Sequence, residues 1–212
     1  MRDGFIRVSQ FLVRCWLKTI FRLHVTGRKN LPRSGATIVA ANHVSGYDPP
    51  LVGSFVPQRC YYLAKKELFE YPILGAIIRL YRSIPVDRAG VTVGALRKVR
   101  KALNDGHAIV MFPEGTRSTD GRLRAPKEGI GLLMSQANAV VVPVYIEGLF
   151  GVKGSIFRRP KAGLHFGEPI HVGQLLENAA SKREKYALIT QAVMQNIEMM
   201  AREKQDDSVF QV

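Results

Sequence analysis

Cysteine is nearly missing from this chain: Cys15 and Cys60 are the two in 212 residues. Neither falls in a metal-ligand or Cys-x-x-Cys spacing, which excludes a disulfide scaffold, thiolate zinc sites and dithiol redox chemistry. Free thiols fit a reducing compartment. Long hydrophobic runs are also missing. Within residues 1–24 the longest uncharged stretch is the six residues Val8 to Val13, against the ~20 that a spanning helix needs. No small-residue cleavage site follows it, so it does not read as a signal peptide. There is no Gly-x-Ser-x-Gly nucleophile turn, no nucleotide-binding glycine loop, no internal repeat and no low-complexity tract. Aromatic residues are not interleaved with the basic ones, which argues against nucleic acid as a partner.

Acidic residues are the other shortage, 17 against 31 Lys and Arg, for a net charge of +14. The excess is uneven. Residues 1–30 hold seven basic residues and one acidic, residues 31–130 fifteen and eight, and residues 131–212 nine and eight. Such a surface suits anionic lipid, a phosphorylated substrate or an acidic carrier protein. With 46% hydrophobic and 23% charged residues, the bulk is a folded globular chain long enough for one domain with an appendage.

That appendage is residues 1–24. Read as a helix at about 100° per residue, Arg7, Arg14, Lys18 and Arg22 share one narrow stripe. Most of the remaining circumference is apolar: Phe5, Ile6, Val8, Leu12, Val13, Trp16, Leu17, Ile20 and Leu23. A basic stripe on a broad apolar helix suits the plane of a membrane interface, with Trp16 at the headgroup boundary. A helix packed on the body with a solvated stripe is the plainer alternative.

From residue 25 to 212 strands alternate with helices, which predicts an α/β domain with a mixed, largely parallel sheet flanked by helices. Strands are expected at 36–41, 60–64, 83–86, 107–112, 140–146 and 162–167. Helices are expected at 50–55, 72–80, 91–104, 127–138 and from Ser181 to about Arg202, with a polar, loose tail beyond. Pro143 in the strand 140–146 argues for an edge position, a bulge or a nearby ligand.

Two strand-end loops carry the chemistry. Asn42-His43-Val44-Ser45-Gly46-Tyr47-Asp48-Pro49 places an imidazole and a carboxylate five residues apart between a strand and a helix. In such a turn the carboxylate can fold back to fix the ring tautomer, leaving the other nitrogen to take a proton. The bland alternative is a helix-capping Asp beside a loop histidine. In Phe112-Pro113-Glu114-Gly115-Thr116-Arg117-Ser118, glycine admits a close ligand, Arg117 offers a fork for phosphate, and Thr116 and Ser118 add hydroxyl donors. Glu114 would hold that arginine or bind a substrate hydroxyl; a tight turn with a surface Glu–Arg pair explains the loop equally. His24, His107, His165 and His171 belong to no motif and read as structural or surface residues.

Together these stretches resemble the glycerolipid acyltransferase family. Its His-x₄-Asp appears as His43 to Asp48. Its second block, ending in arginine, appears as Ile84-Pro85-Val86-Asp87-Arg88. Its Phe-Pro-Glu-Gly-Thr-Arg-Ser block is intact at 112–118, and its Val-Pro-Val strand is 142–144. Lys127 and Gly129 match a following Lys-x-Gly, with Ala125-Pro126 where the family carries an aromatic. The start and the closing helix also fit the branch that acylates 1-acylglycerol 3-phosphate.

The resemblance implies His43 as general base, Asp48 as its orienting partner, and Arg88, Glu114, Gly115, Thr116 and Arg117 as the binding site for the acceptor's glycerol phosphate. The donor would be acyl-CoA or acyl carrier protein, with no metal or organic cofactor. A thioester already has a good leaving group, so no Ser or Cys nucleophile is needed. The acceptor would be lysophosphatidic acid and the location the cytoplasmic face of a membrane, held peripherally. Another lysophospholipid or aminolipid acceptor, or a non-catalytic basic membrane-binding module, are the competing expectations.

Overall fold

A computed structural model describes residues 2–87, 91–127, 129–175 and 181–209. It opens with helix α1 (Arg2–Ile20), followed by strand β1 (Arg22–Thr26). Then come β2 (Thr37–Ala41), α2 (Asp48–Phe55), β3 (Cys60–Lys65), α3 (Pro72–Leu80), β4 (Ser83–Val86) and α4 (Val93–Asn104). The chain continues through β5 (Ala108–Met111), α5 (Ile130–Met134), β6 (Val140–Glu147), β7 (Lys161–Phe166) and β8 (Ile170–His171). It closes with α6 (Val172–Leu175) and α7 (Lys182–Val209).

The strands form one sheet in the order β1-β7-β6-β2-β5-β3-β4, with β8 beside the start of β6. Pairings from β6 through β2, β5 and β3 to β4 are parallel, while β7 and β8 run antiparallel to β6. The mixed, largely parallel sheet flanked by helices is as the sequence predicts. Parallel strands buried on both faces must be apolar at successive positions. In β2, Val39 and Ala41 face a core shared with Leu17 of α1 and Leu51 and Phe55 of α2. Ile38 and Ala40 face the other core, with Val99 of α4, Leu133 of α5 and Ile189 and Val193 of α7.

Several boundaries differ from the sequence reading, each for a physical reason. Residues 22–24 do not extend α1; they open β1, which pairs in parallel with β7. β1 is an edge strand whose burial is only partial, so five residues with two apolar side chains resemble a last helical turn. The helix expected at 127–138 is reduced to α5. It starts after Gly129 at φ 83 and ends at Met134, and the positive φ of Ala137 (62) keeps the chain from resuming a helix before β6. The tail expected to be loose continues α7 through Val209, and Ser181 Oγ does accept the Glu184 amide, as its capping spacing predicts. Pro143 is not at an edge. Its carbonyl accepts from Gly167, and its missing N–H points to the same side, where the neighbour of β6 changes from β8 to β7.

α1 is both packed and exposed. Leu17, Ile20 and Phe21 are buried to at least 94%, and full burial of each such side chain stabilises by about 1.5–3 kcal/mol. Phe5, Val8, Phe11, Leu12 and Trp16 remain about half exposed or more, as do Ile73 and Ile77 of α3. Two members of the predicted basic stripe are committed elsewhere. Arg14 donates to the Ser54 carbonyl and lies over the Phe55 ring, and Arg22 belongs to β1. Cys15 is exposed on this helix, whereas Cys60 is buried and its thiol is pushed up to about 12.

Candidate active site

β2 and β5 run side by side with Ala40 opposite Met111, so the chain leaves both strands at the same level. The two predicted loops are therefore brought together. The His43 ring stacks on Phe112 at 4.1 Å between centroids. Ser118 donates its amide to the His43 carbonyl at 2.7 Å. Asn42, which precedes the histidine, is buried and clasps β6: its side chain donates to the Ile146 carbonyl at 2.9 Å and accepts the Ile146 amide at 2.7 Å. A buried amide side chain needs such partners, and here they lock the base of the histidine loop to the sheet.

His43 Nδ1 lies 2.7 Å from Asp48 Oδ2. That same oxygen accepts the amides of Val44 and Ser45 at 2.7 and 2.8 Å. Asp48 is fully buried in the first turn of α2, where aligned N–H groups favour a negative charge. Its Oδ1 is buried without a hydrogen-bond partner among the described residues. The carboxylate accepts from Nδ1–H, which leaves the lone pair on Nε2. Among the described residues Nε2 makes no hydrogen bond, and the ring is 17% exposed. The geometry leaves an imidazole with its tautomer fixed and Nε2 open, and Asp48, the residue of the capping alternative, is the group that fixes it.

Glu114 is 2% exposed and, among the described residues, its carboxylate is held by backbone amides rather than by Arg117. Oε1 accepts the His43 amide at 2.9 Å and Oε2 the Arg124 amide at 3.2 Å. Burial pushes its carboxyl above the usual range, and those two backbone hydrogen bonds oppose the rise. Glu114 is thus a strut between the histidine and the loop after Ser118. Ser118 is likewise occupied, donating its hydroxyl to Asp120 at 3.0 Å. Gly115 has φ 65, and a Cβ there would lie 2.6 Å from Lys127 Cγ, so glycine is required. Thr116 is partly buried and Arg117 exposed. One guanidinium nitrogen of Arg117 lies 4.0 Å from where a Cβ on Gly46 would stand, beside the histidine loop. Arg88 lies outside the described residues.

Residues 22–147, more than half of the chain, match the family model described as Acyltransferase. The chain belongs to the acyltransferase family. A 1-acyl-sn-glycerol-3-phosphate acyltransferase from Bacillus subtilis is 29% identical over 187 residues, covering 85% of this acyltransferase and 91% of that protein. One from Borreliella burgdorferi is 29% identical over 149 residues, covering 68% of this chain and 59% of that protein. Among solved structures, the 1-acyl-sn-glycerophosphate (LPA) acyltransferase PlsC from Thermotoga maritima superposes with a TM-score of 0.65 at 27% identity, covering 94% and 88% of the two chains.

Three residues of this acyltransferase escape a reading by motif alone: Asn42 as clasp, Phe112 as the wall behind the imidazole, and Tyr47. The Tyr47 ring meets Phe21 edge-on at 5.3 Å and Trp16 at 6.0 Å, so the histidine loop leans on the end of α1 and the residue after it. The only signal for Tyr47 was its place inside the loop.

Proposed function

We propose that the protein transfers a fatty acyl group from an acyl thioester to the 2-hydroxyl of 1-acyl-glycerol 3-phosphate, giving phosphatidic acid. The observation that carries this is the fixed His43–Asp48 pair with Nε2 unbonded among the described residues, set beside the exposed Arg117. The names of the relatives above support the same acceptor.

Nε2 of His43 takes the proton of the acceptor hydroxyl as its oxygen attacks the thioester carbonyl carbon. The tetrahedral intermediate collapses with cleavage of the carbon–sulfur bond, and the imidazolium returns the proton to the departing thiolate. Asp48 holds the ring and stabilises its positive form. Arg117, with Gly115 and Thr116 at the same turn, receives the acceptor phosphate, and Arg88 joins it in this reading. The reaction so written needs neither metal nor organic cofactor. Acyl-CoA and acyl carrier protein both fit a basic surface, and competition between the two thioesters identifies the donor.

Acceptor and product are membrane lipids. Among the described residues no helix is long and apolar enough to cross a membrane. The exposed apolar outer face of α1, from Phe5 to Trp16, supports peripheral contact with a membrane surface, in this reading on its cytoplasmic side. An acceptor panel with a labelled acyl donor tests the assignment. Lysophosphatidic acid is expected to be the best acceptor. Equal use of lysophosphatidylcholine would move the protein to another lysophospholipid acyltransferase class.

A further inference from the structure

The segment between β6 and β7, residues 148–160, belongs to neither catalytic loop. It leaves β6 at the end of the sheet that bears His43 and returns through antiparallel β7, so it stands on the active-site rim. Its tip is Ile156-Phe157, 62% and 91% exposed. Two adjacent large apolar side chains held in water are uneconomical unless something covers them.

The tip is built. Ser155 Oγ accepts the amides of Phe157 and Arg158 at 3.2 and 3.1 Å, and the Arg159 amide donates to the Ser155 carbonyl at 3.0 Å. The turn is fastened to the end of α1. The Ser155 amide donates to Ile20 O at 3.2 Å, the Arg159 guanidinium to Lys18 O at 2.8 Å, and Arg22 Nε to Arg159 O at 3.0 Å. Gly154 lies so close that a Cβ would be 2.5 Å from Ile20 Cδ1. Lys153, Arg158 and Arg159 are exposed around the tip, and residues 148–160 contain no acidic residue.

We propose that Ile156-Phe157 is a second membrane anchor, inserted into the acyl boundary of an anionic bilayer while Lys153 and Arg158 meet headgroup phosphates. This rests on the reading of α1 as the membrane-facing helix, which the turn continues beyond Lys18. Two apolar side chains are far too few for a stable protein interface, which covers about 800 Å² per partner. They are enough to add a lipid contact to one already made. The basic ring fits anionic headgroups, whose attraction fades with salt.

Trp16 is the sole tryptophan, so a full-length W16F/F157W chain has one reporter, at the tip. With vesicles of phosphatidylglycerol and phosphatidylcholine its emission should shift to the blue and be quenched by brominated acyl chains. In an otherwise native chain, I156S/F157S should weaken partitioning into these vesicles about tenfold or more, with turnover of a short-chain soluble acceptor unchanged. Sedimentation with vesicles but no quenching would overturn the anchor and leave α1 as the contact. Failure of the native chain to sediment would overturn the reading of α1 as well. Unchanged partitioning with a raised KM for acyl carrier protein would make the tip a protein-docking site and sink the proposal.

Discussion

Asp48 offers one oxygen to three donors, and that division of labour makes a sharp test. Asp48→Asn keeps the shape, but an amide cannot hold Nδ1–H and two backbone amides as a carboxylate does. Turnover should fall roughly 10²–10⁴-fold with acceptor KM little changed; steady-state kinetics decide, and retained kcat would remove Asp48 as the partner that orients His43. Glu114 and Arg117 should separate cleanly, although the motif places them three residues apart. On the proposed phosphate role, Arg117→Ala should cost about 1.5–3 kcal/mol of acceptor binding and raise acceptor KM about ten- to a hundredfold. Glu114→Gln turns an NH₂ toward a backbone N–H, which leaves a buried donor unpaired at about 1–3 kcal/mol. It should lower the melting temperature and kcat while sparing acceptor KM; a pure KM effect would restore Glu114 to the substrate. The His43–Asp48 pair was legible because six consecutive residues of one turn contain both groups. Glu114 was not, because its partner amide on His43 is 71 residues away, and a carboxylate beside an arginine in sequence reads as its ion pair.

At the scale of elements, β1, β6 and β7 are stitched by a buried histidine that the sequence reading took as structural or surface. His165 is 3% exposed; Thr26 Oγ1 lies 2.8 Å from Nδ1 and Glu147 Oε1 3.1 Å from Nε2. A neutral ring with its proton on Nε2 satisfies both, donating to Glu147 and accepting from Thr26. Burial lowers its pKa from 6.5, with Glu147 opposing. The unfolded chain therefore binds this proton more readily. The contribution of His165 to stability is complete above the unfolded value of 6.5 and is lost as pH falls through the lower folded value. Thermal melts should show a steeper acid loss between pH 6.5 and the folded value in the native chain than in His165→Asn; identical slopes would refute it. α1 also changes meaning once its packing is seen. Deleting it to test membrane contact would open the core at Leu17 and Phe21 and withdraw the support of Tyr47. Phe11→Ser with Leu12→Ser is the better probe. It should release the protein from anionic vesicles while leaving the melting temperature and soluble-acceptor turnover nearly unchanged; undiminished sedimentation would make α1 a brace alone. Helix periodicity revealed that α1 is amphipathic, but periodicity could not say which apolar residues the body claims.

Over the whole molecule, the parallel strands deliver the His43 and Glu114 loops to one end of the sheet, and the antiparallel return of β7 brings the start of β1, and with it the end of α1, to that same end. The alternation of strands and helices was enough to foresee the sheet, but not that its edge is closed by a strand directly after α1. One consequence concerns reagents rather than substrates. The chain has two thiols of opposite accessibility: Cys15 is exposed beside Trp16, while burial pushes Cys60 up to about 12 and leaves little thiolate to react. A maleimide should therefore label the folded protein once in water, and mass spectrometry should place the adduct on Cys15. Vesicles that cover the outer face of α1 should slow that labelling, and lysophosphatidic acid below its micelle threshold should not. The native sequence thus contains its own clock for membrane residence, readable without any substitution.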